Sequence, residues 1–262
     1  RRICFSEMEY FPMIELRNIV KDYGSYTALH QLDLSVPAGE VFGFIGPNGA
    51  GKTTTIKVIG GILAPTAGSV RIAGIDMARD PVAAKQRIGF IPDRPYLYEK
   101  LTGMEFLQFT ADVYGVAQAV FREKAVSLLE MFALADWGEE LIESYSHGMK
   151  QRLIMCAALL HDPEVLVVDE PMVGLDPVAI RMVKNLFRDL ALEGVTVFMS
   201  THTLAVAEDI CDRIGIIHRG RLIAQGTLDD LRKDIKGGAS DLEAVFINLT
   251  QGTDAPGEAL AS

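Results

Sequence analysis

At 262 residues, 49% of them hydrophobic, the chain suits one large α/β domain or a core carrying a subdomain. Its net charge of −10 argues against broad electrostatic attachment to nucleic acid, though not against a local basic patch. The longest apolar run, near Leu153 to Leu160, falls short of the roughly 18 residues a membrane-crossing helix needs, and the first residues lack the apolar core of a secretory signal.

Residues 1–12 read as an N-terminal extension or a tag, because patterned sequence starts at Met13. Ile14, Leu16 and Ile19 with Val20 predict a first strand whose alternation slips at its end, and Leu32, Leu34 and Val36 predict a second. After the turn Pro37-Ala38-Gly39, Val41-Phe42-Gly43-Phe44-Ile45 reads as a short buried strand. The run Gly46-Pro47-Asn48-Gly49-Ala50-Gly51-Lys52-Thr53-Thr54 then fits G-x-x-x-x-G-K-[ST], the phosphate-binding P-loop. Gly46, Gly49 and Gly51 allow a tight turn whose N–H groups point at phosphate oxygens. The helix start behind them adds orphan donors and a partial positive charge. Lys52 is expected to reach the β/γ-phosphates and the Thr53 hydroxyl to ligate Mg2+. The bland alternative is a glycine-rich turn capping an ordinary helix. The strand before the loop, and the helix predicted after it from Thr54 to Leu63, argue against that.

Val70 to Ala73 and Ile88 to Ile91 predict further strands, with a weak helix around Val82 to Gln86 between them. From Asp93 to about Leu160 strand signals vanish and helical spacing takes over, as in Phe106, Phe109 and Val113, then Val126, Leu129 and Phe132. Within this block Ser146 is an N-cap candidate, Gly148 allows close backbone approach, and the helix start favours anions; alone, these residues describe a capped helix. Strands return at Val165–Val168, Val195–Met199, Ile214–Ile217 and Leu222–Ala224, with helices around Val178–Leu192 and Leu204–Cys211. Such alternation around a P-loop implies a mostly parallel, doubly wound sheet, with the helical block as an insertion.

Ligands gather at the carboxyl ends of strands in such a sheet. The two acids that end Val165-Leu166-Val167-Val168-Asp169-Glu170 therefore put Asp169 near Mg2+ and Glu170 where it can polarise the water that attacks the γ-phosphate. A surface turn with two solvated acids is the alternative. By the same logic His202, after Ser200-Thr201, could donate to the γ-phosphate or orient Glu170, although a lone histidine after a strand is more often structural. Cys4, Cys156 and Cys211 show neither metal-ligand spacing nor a disulfide framework and read as reduced thiols. The stretch from Lys236 on is rich in Gly, Ala and Asp and is expected to fray after Leu249.

Together these residues resemble the ATP-binding subunit of an ABC transporter, over nearly all of residues 13–250. Gly46–Thr54 looks like Walker A, and Val165–Glu170 like Walker B with its catalytic Glu170. Ser146-His147-Gly148-Met149-Lys150-Gln151-Arg152 is similar to the LSGGQ signature and its basic residue, which implies that Ser146, Gly148 and Met149 meet the ATP of the opposite subunit. Gly174-Leu175-Asp176 resembles the D-loop and His202 the switch histidine. Tyr23, before Gly24, matches the aromatic that stacks on adenine, with Tyr26 as the alternative. Two departures stand out. Tyr145, His147 and Met149 occupy signature positions where Leu, Gly and Gln are commonest, while Ser146 and Gly148 are kept. Asp93 falls at the Q-loop glutamine; an acid there can ligate Mg2+ but repels phosphate, or it is simply a solvated loop acid.

The resemblance implies an α/β P-loop NTPase core with a mostly parallel sheet, an N-terminal antiparallel β subdomain and an inserted α-helical subdomain. Residues 13–92 would hold the β subdomain and P-loop, 93–160 the helical subdomain, 161–235 the rest of the core and 236–262 a tail. It implies ATP and Mg2+, with Lys52, Glu170 and His202 catalytic. It also implies two cassettes, alike or different, paired head to tail, so that each ATP lies between one P-loop and the other's signature helix. Integral-membrane permease subunits would hold the pair at the cytoplasmic face of the membrane. Pro95-Tyr96-Leu97-Tyr98 would meet them, or else pack the insertion's own core. The ending Asp241–Leu249 resembles exporter-type subunits. A soluble ABC ATPase acting on nucleic acid or ribosomes is the alternative; its usual second cassette, coiled-coil insertions or basic patches are not read here, and nucleic acid is not expected as a partner. A GTPase or kinase reading lacks an N-K-x-D guanine reader.

Overall fold

The computed structural model describes residues 12–94, 96–233 and 242–252. Expectations for residues 1–11, Cys4, Pro95, Asp241 and the end of the tail lie outside the described residues.

Alternating apolar residues close the first hairpin. β1 (Ile14–Tyr23) pairs antiparallel with β2 (Tyr26–Val36), and Ile14, Leu16, Leu32, Leu34 and Val36 face inward. The slip in alternation near Val20 is real: the register shifts between Leu16 and Ile19, between Ile19 and Lys21, and between Lys21 and Asp22. β3 (Val41–Ile45) is buried throughout and runs into the P-loop and α1 (Lys52–Ile59). The helix is shorter than expected. Gly60 and Gly61 follow Ile59, Gly61 takes a φ of 64°, and Leu63 packs on the core from a loop instead.

β4 (Ala67–Ile72) and the short, unforeseen β5 (Ile75–Asp76) complete a four-stranded antiparallel sheet in the order β2-β1-β4-β5. α2 (Pro81–Gln86) leads to β6 (Ile88–Ile91), and the inserted block follows as α3 (Gly103–Tyr114), α4 (Gln118–Met131) and α5 (His147–Leu159). The chain then returns through β7 (Val165–Asp169), α6 (Pro177–Leu192), β8 (Thr196–Thr201), α7 (Leu204–Ile210), β9 (Arg213–His218) and β10 (Arg221–Gly226). α8 (Leu228–Lys233) and α9 (Leu242–Gly252) pack on α7 or β10. The main sheet has six strands in the order β10-β9-β3-β8-β7-β6, parallel except for β10. The expected α/β core, antiparallel β unit and helical insertion are all present.

Side chains alternate across the main sheet. Val165 and Val167 join α1 and the small sheet on one face, while Leu166 and Val168 join the helical insertion on the other. The insertion corrects one expectation. Phe106, Leu107 and Ala111 form the buried side of α3, whereas Phe109 and Val113 are exposed. Likewise Phe121, Ala125, Leu128 and Leu129 bury α4, and Val126 faces out. Both stripes have helical spacing, so the small alanines that let these helices approach α5 decide which one is covered. Among the described residues no helix is long and apolar enough to cross a membrane.

Far from the P-loop, Glu40 is buried beside Arg213, whose Nη1 donates to Oε1 at 3.2 Å. Burial pushes this carboxyl up to about 7 from 4.5, against the opposing pull of Arg213 and with help from Asp212. A carboxyl that holds its proton more tightly when folded contributes stability below 4.5 and loses it as the pH climbs through about 7. Melting temperature should therefore decline between those values, and Glu40→Gln should flatten that decline. An identical pH slope in both proteins would assign it to another group.

Candidate functional site

The P-loop joins β3 to α1, so its N–H groups and the helix start open on the carboxyl edge of the sheet. Gly51 caps α1 with a φ of 111°, and a Cβ there would come within 2.9 Å of Leu29; the turn needs glycine. Ala50 is buried, and its N–H donates to Pro47 O at 3.1 Å, so part of the loop braces the rest from behind. The Lys52 side chain lies back along the loop and donates to Gly46 O at 2.7 Å and Pro47 O at 3.3 Å. Only 8% of Lys52 is exposed. Burial eases loss of its proton, and the charges of Glu170 and Asp169 oppose that loss.

Asp169 ends β7 buried. Ser200 Oγ donates to its Oδ1 at 2.5 Å, and the nearby Thr53 hydroxyl also favours its charged form. Burial raises its proton affinity first, and the negative charges of Asp93 and Glu170 add to that; the two hydroxyls work the other way. Glu170 follows with a φ of 51°, in the left-handed region that non-glycine residues seldom adopt. That turn separates the two acids: Asp169 stays in the sheet edge and Glu170 swings into the cleft. His202 Nδ1 lies 2.8 Å from Glu170 Oε1, close enough for a ring N–H to donate there.

These groups converge. A cleft of about 460 Å³ is lined by Tyr23, Tyr26, Asn48, Gly49, Gly51, Lys52, Thr53, Thr54, Asp93, Asp169, Glu170 and His202, with Ala28 as the remaining wall. A larger apolar groove of about 900 Å³ between α4 and α6 contains none of them. Ser200 had no role in the sequence reading. Its partner becomes visible only through the parallel register that sets Ser200 against Asp169, and this bond explains why β8 runs past its apolar stretch into Ser200 and Thr201.

The oxygens available suit a hard divalent cation. Thr53 and Asp169 offer adjacent hydroxyl and carboxylate donors, and the acids around Asp169 leave negative charge to neutralise. Among the described residues no three His, Cys, Asp or Glu groups form a cage.

Ser146, Gly148 and Met149 do not line this cleft. Ser146 caps α5 by accepting from Met149 N–H at 3.3 Å. The Met149 side chain is buried in the core, and its N–H is the group that meets the Ser146 cap. Tyr145 is structural as well. It is buried, its hydroxyl donates to Trp137 O at 2.5 Å, and burial lifts its phenol to about 12. His147 lies against Gly174, whose φ is 78°; a Cβ there would sit 2.5 Å from the imidazole ring. Asp176 caps α6, accepting from Val178 and Ala179 N–H at 2.9 Å.

A family model described as ABC transporter matches residues 29–173. The linearmycin resistance ATP-binding protein LnrL of Bacillus subtilis is 39% identical over 225 residues, which is 86% of this chain and 72% of LnrL. A solved ATP binding subunit of an ABC transporter superposes with a TM-score of 0.86 at 35% identity, covering 90% of this chain and 99% of that one. The ATP-binding cassette MJ0796, in a dimeric post-hydrolysis state bound to ADP and Pi, gives 0.73 at 27% identity, covering 82% and 99%.

Proposed function

The chain belongs to the ABC transporter family as an ATP-binding ATPase subunit, and from that premise we propose how its own residues bind and split ATP to power export. The base stacks on Tyr23, and the triphosphate lies in the P-loop, Gly46 to Thr54, against the α1 start and Lys52. Thr53 and Asp169 would hold Mg2+, and Asp93, whose charge acts on Asp169, would lie near the cation, where an acid is tolerated. Bound there, the ion would supply positive charge to offset that of the triphosphate. Glu170 accepts the proton of the attacking water. His202 fixes the Glu170 carboxylate through Nδ1.

Two cassettes close head to tail, and the α5 start, with Ser146, Gly148 and the Met149 N–H, meets the other copy's γ-phosphate while Asp176 follows the D-loop turn across the seam. The dimeric MJ0796 cassette supports this arrangement. Permease subunits dock on the exposed Tyr96 and Tyr98, which are 83% and 60% accessible, and hold the pair at the cytoplasmic face. Leu97 turns inward against the insertion's core, which leaves the two tyrosines for the proposed docking. Export is favoured because LnrL is named for resistance. Neither LnrL nor the two structures is named for nucleic acid or ribosomes.

The observation that carries this reading is the meeting of Lys52, Thr53, the Asp169 held by Ser200 and the Glu170–His202 pair in one cleft. Co-purification with the membrane partner, followed by hydrolysis measured with and without candidate cargo, tests the whole. Turnover indifferent to both partner and cargo would overturn it. At the base, Tyr23→Ala should weaken ATP binding by about 5- to 150-fold, the range for losing one stacked ring. Calorimetry that gives native affinity would move the platform to Tyr26.

A further inference from the structure

Resting on that reading of Tyr23, we infer that Lys21 is a positioning residue for the nucleobase: it fixes the Tyr23 ring and ties it to the loop that leaves the P-loop helix. The Lys21 ammonium lies 5.4 Å from the Tyr23 ring centroid, within reach of a cation–π contact. Tyr23 and Tyr26 both line the nucleotide cleft and Lys21 does not, so the cation approaches the ring from outside. The same ammonium donates to Ala64 O at 2.8 Å, which pins a side chain that would otherwise be mobile.

Neighbouring bonds run between the same two segments. Asp22 N–H donates to Thr66 Oγ1 at 2.9 Å and Thr66 N–H to Val20 O at 2.7 Å, while Thr27 Oγ1 steadies Asp22 from across the hairpin by donating to its Oδ1 at 2.6 Å. The register breaks on either side of Lys21 fall at this point, where bulges re-aim side chains beside a site. The loop is in turn hooked to α1, since Ile62 and Leu63 N–H both donate to Lys57 O. Lys52 begins that helix and Ala64 follows its end, so the base platform and the phosphate grip are braced by one element. A ring already held in place loses less freedom when a base stacks on it. Among the described residues the cation contacts found are at Tyr23 and Phe42.

The test is a double-mutant cycle read by calorimetry with ATP and with inorganic tripolyphosphate, which has no base. Lys21→Met should weaken ATP binding about two- to five-fold and leave tripolyphosphate binding unchanged. Lys21→Arg should restore ATP affinity, and Lys21→Met added to Tyr23→Ala should cost nothing more. The inference fails if Lys21→Met binds ATP as the native protein does, if both ligands weaken together, or if the loss persists without the Tyr23 ring. A Tyr23→Ala protein with native affinity would instead overturn the stacking reading itself. Melting curves of both Lys21 variants separate a folding defect from a binding one.

Discussion

Glu170→Gln should bind ATP and close into a dimer, yet hydrolyse it roughly 10²- to 10⁴-fold more slowly than the native cassette. The amide keeps the shape of the side chain and its reach toward His202 Nδ1, now 2.8 Å from the carboxylate, but it cannot take a proton from water. The left-handed turn at Glu170 is backbone geometry and survives the change. Removing this charge also removes one of the two neighbours that press on Asp169, which eases approach of a triphosphate. Size-exclusion in the presence of ATP should thus show a persistent dimer, and a phosphate-release assay should show almost no product. Native turnover would remove Glu170 as the proton acceptor.

Lys52→Ala should lose most hydrolysis, by about 10²- to 10³-fold or more, as when a preorganised donor to developing charge is deleted. The change leaves the carbonyls of Gly46 and Pro47 without their partner, and leaves Asp93, Asp169 and Glu170 facing an incoming triphosphate with no lysine between. Binding should weaken along with turnover, unlike the case of Glu170→Gln. Far-ultraviolet dichroism would confirm that the fold survives. Unchanged turnover in a folded variant would refute the P-loop assignment.

Much of the fold and of the cleft is legible in the residues because the chemistry is local. Nine consecutive positions encode the phosphate turn, Gly46 to Thr54, and one apolar strand delivers Asp169 and Glu170 together. What spacing leaves open is set by partners distant in the chain. Two apolar stripes compete on α3, and the approach of α5 chooses the one with Phe106 and Ala111 over the one with Phe109 and Val113. Ser200 gains its role only through strand register with Asp169, and Lys21 only through the loop at Ala64. Met149 sits in a motif associated with ligand contact, yet core packing claims its side chain.

The imidazole of His147 rests on Gly174 with no room for a methyl group between them. In the pairing proposed above, the start of α5 would attend the triphosphate of the opposite copy, whereas Gly174 follows Glu170 in the chain that leaves β7. A tilt of that helix would press first on the chain leaving β7. Under the proposed pairing, the loading of one half would register at the proton acceptor of the other, and the two power strokes would be yoked rather than independent.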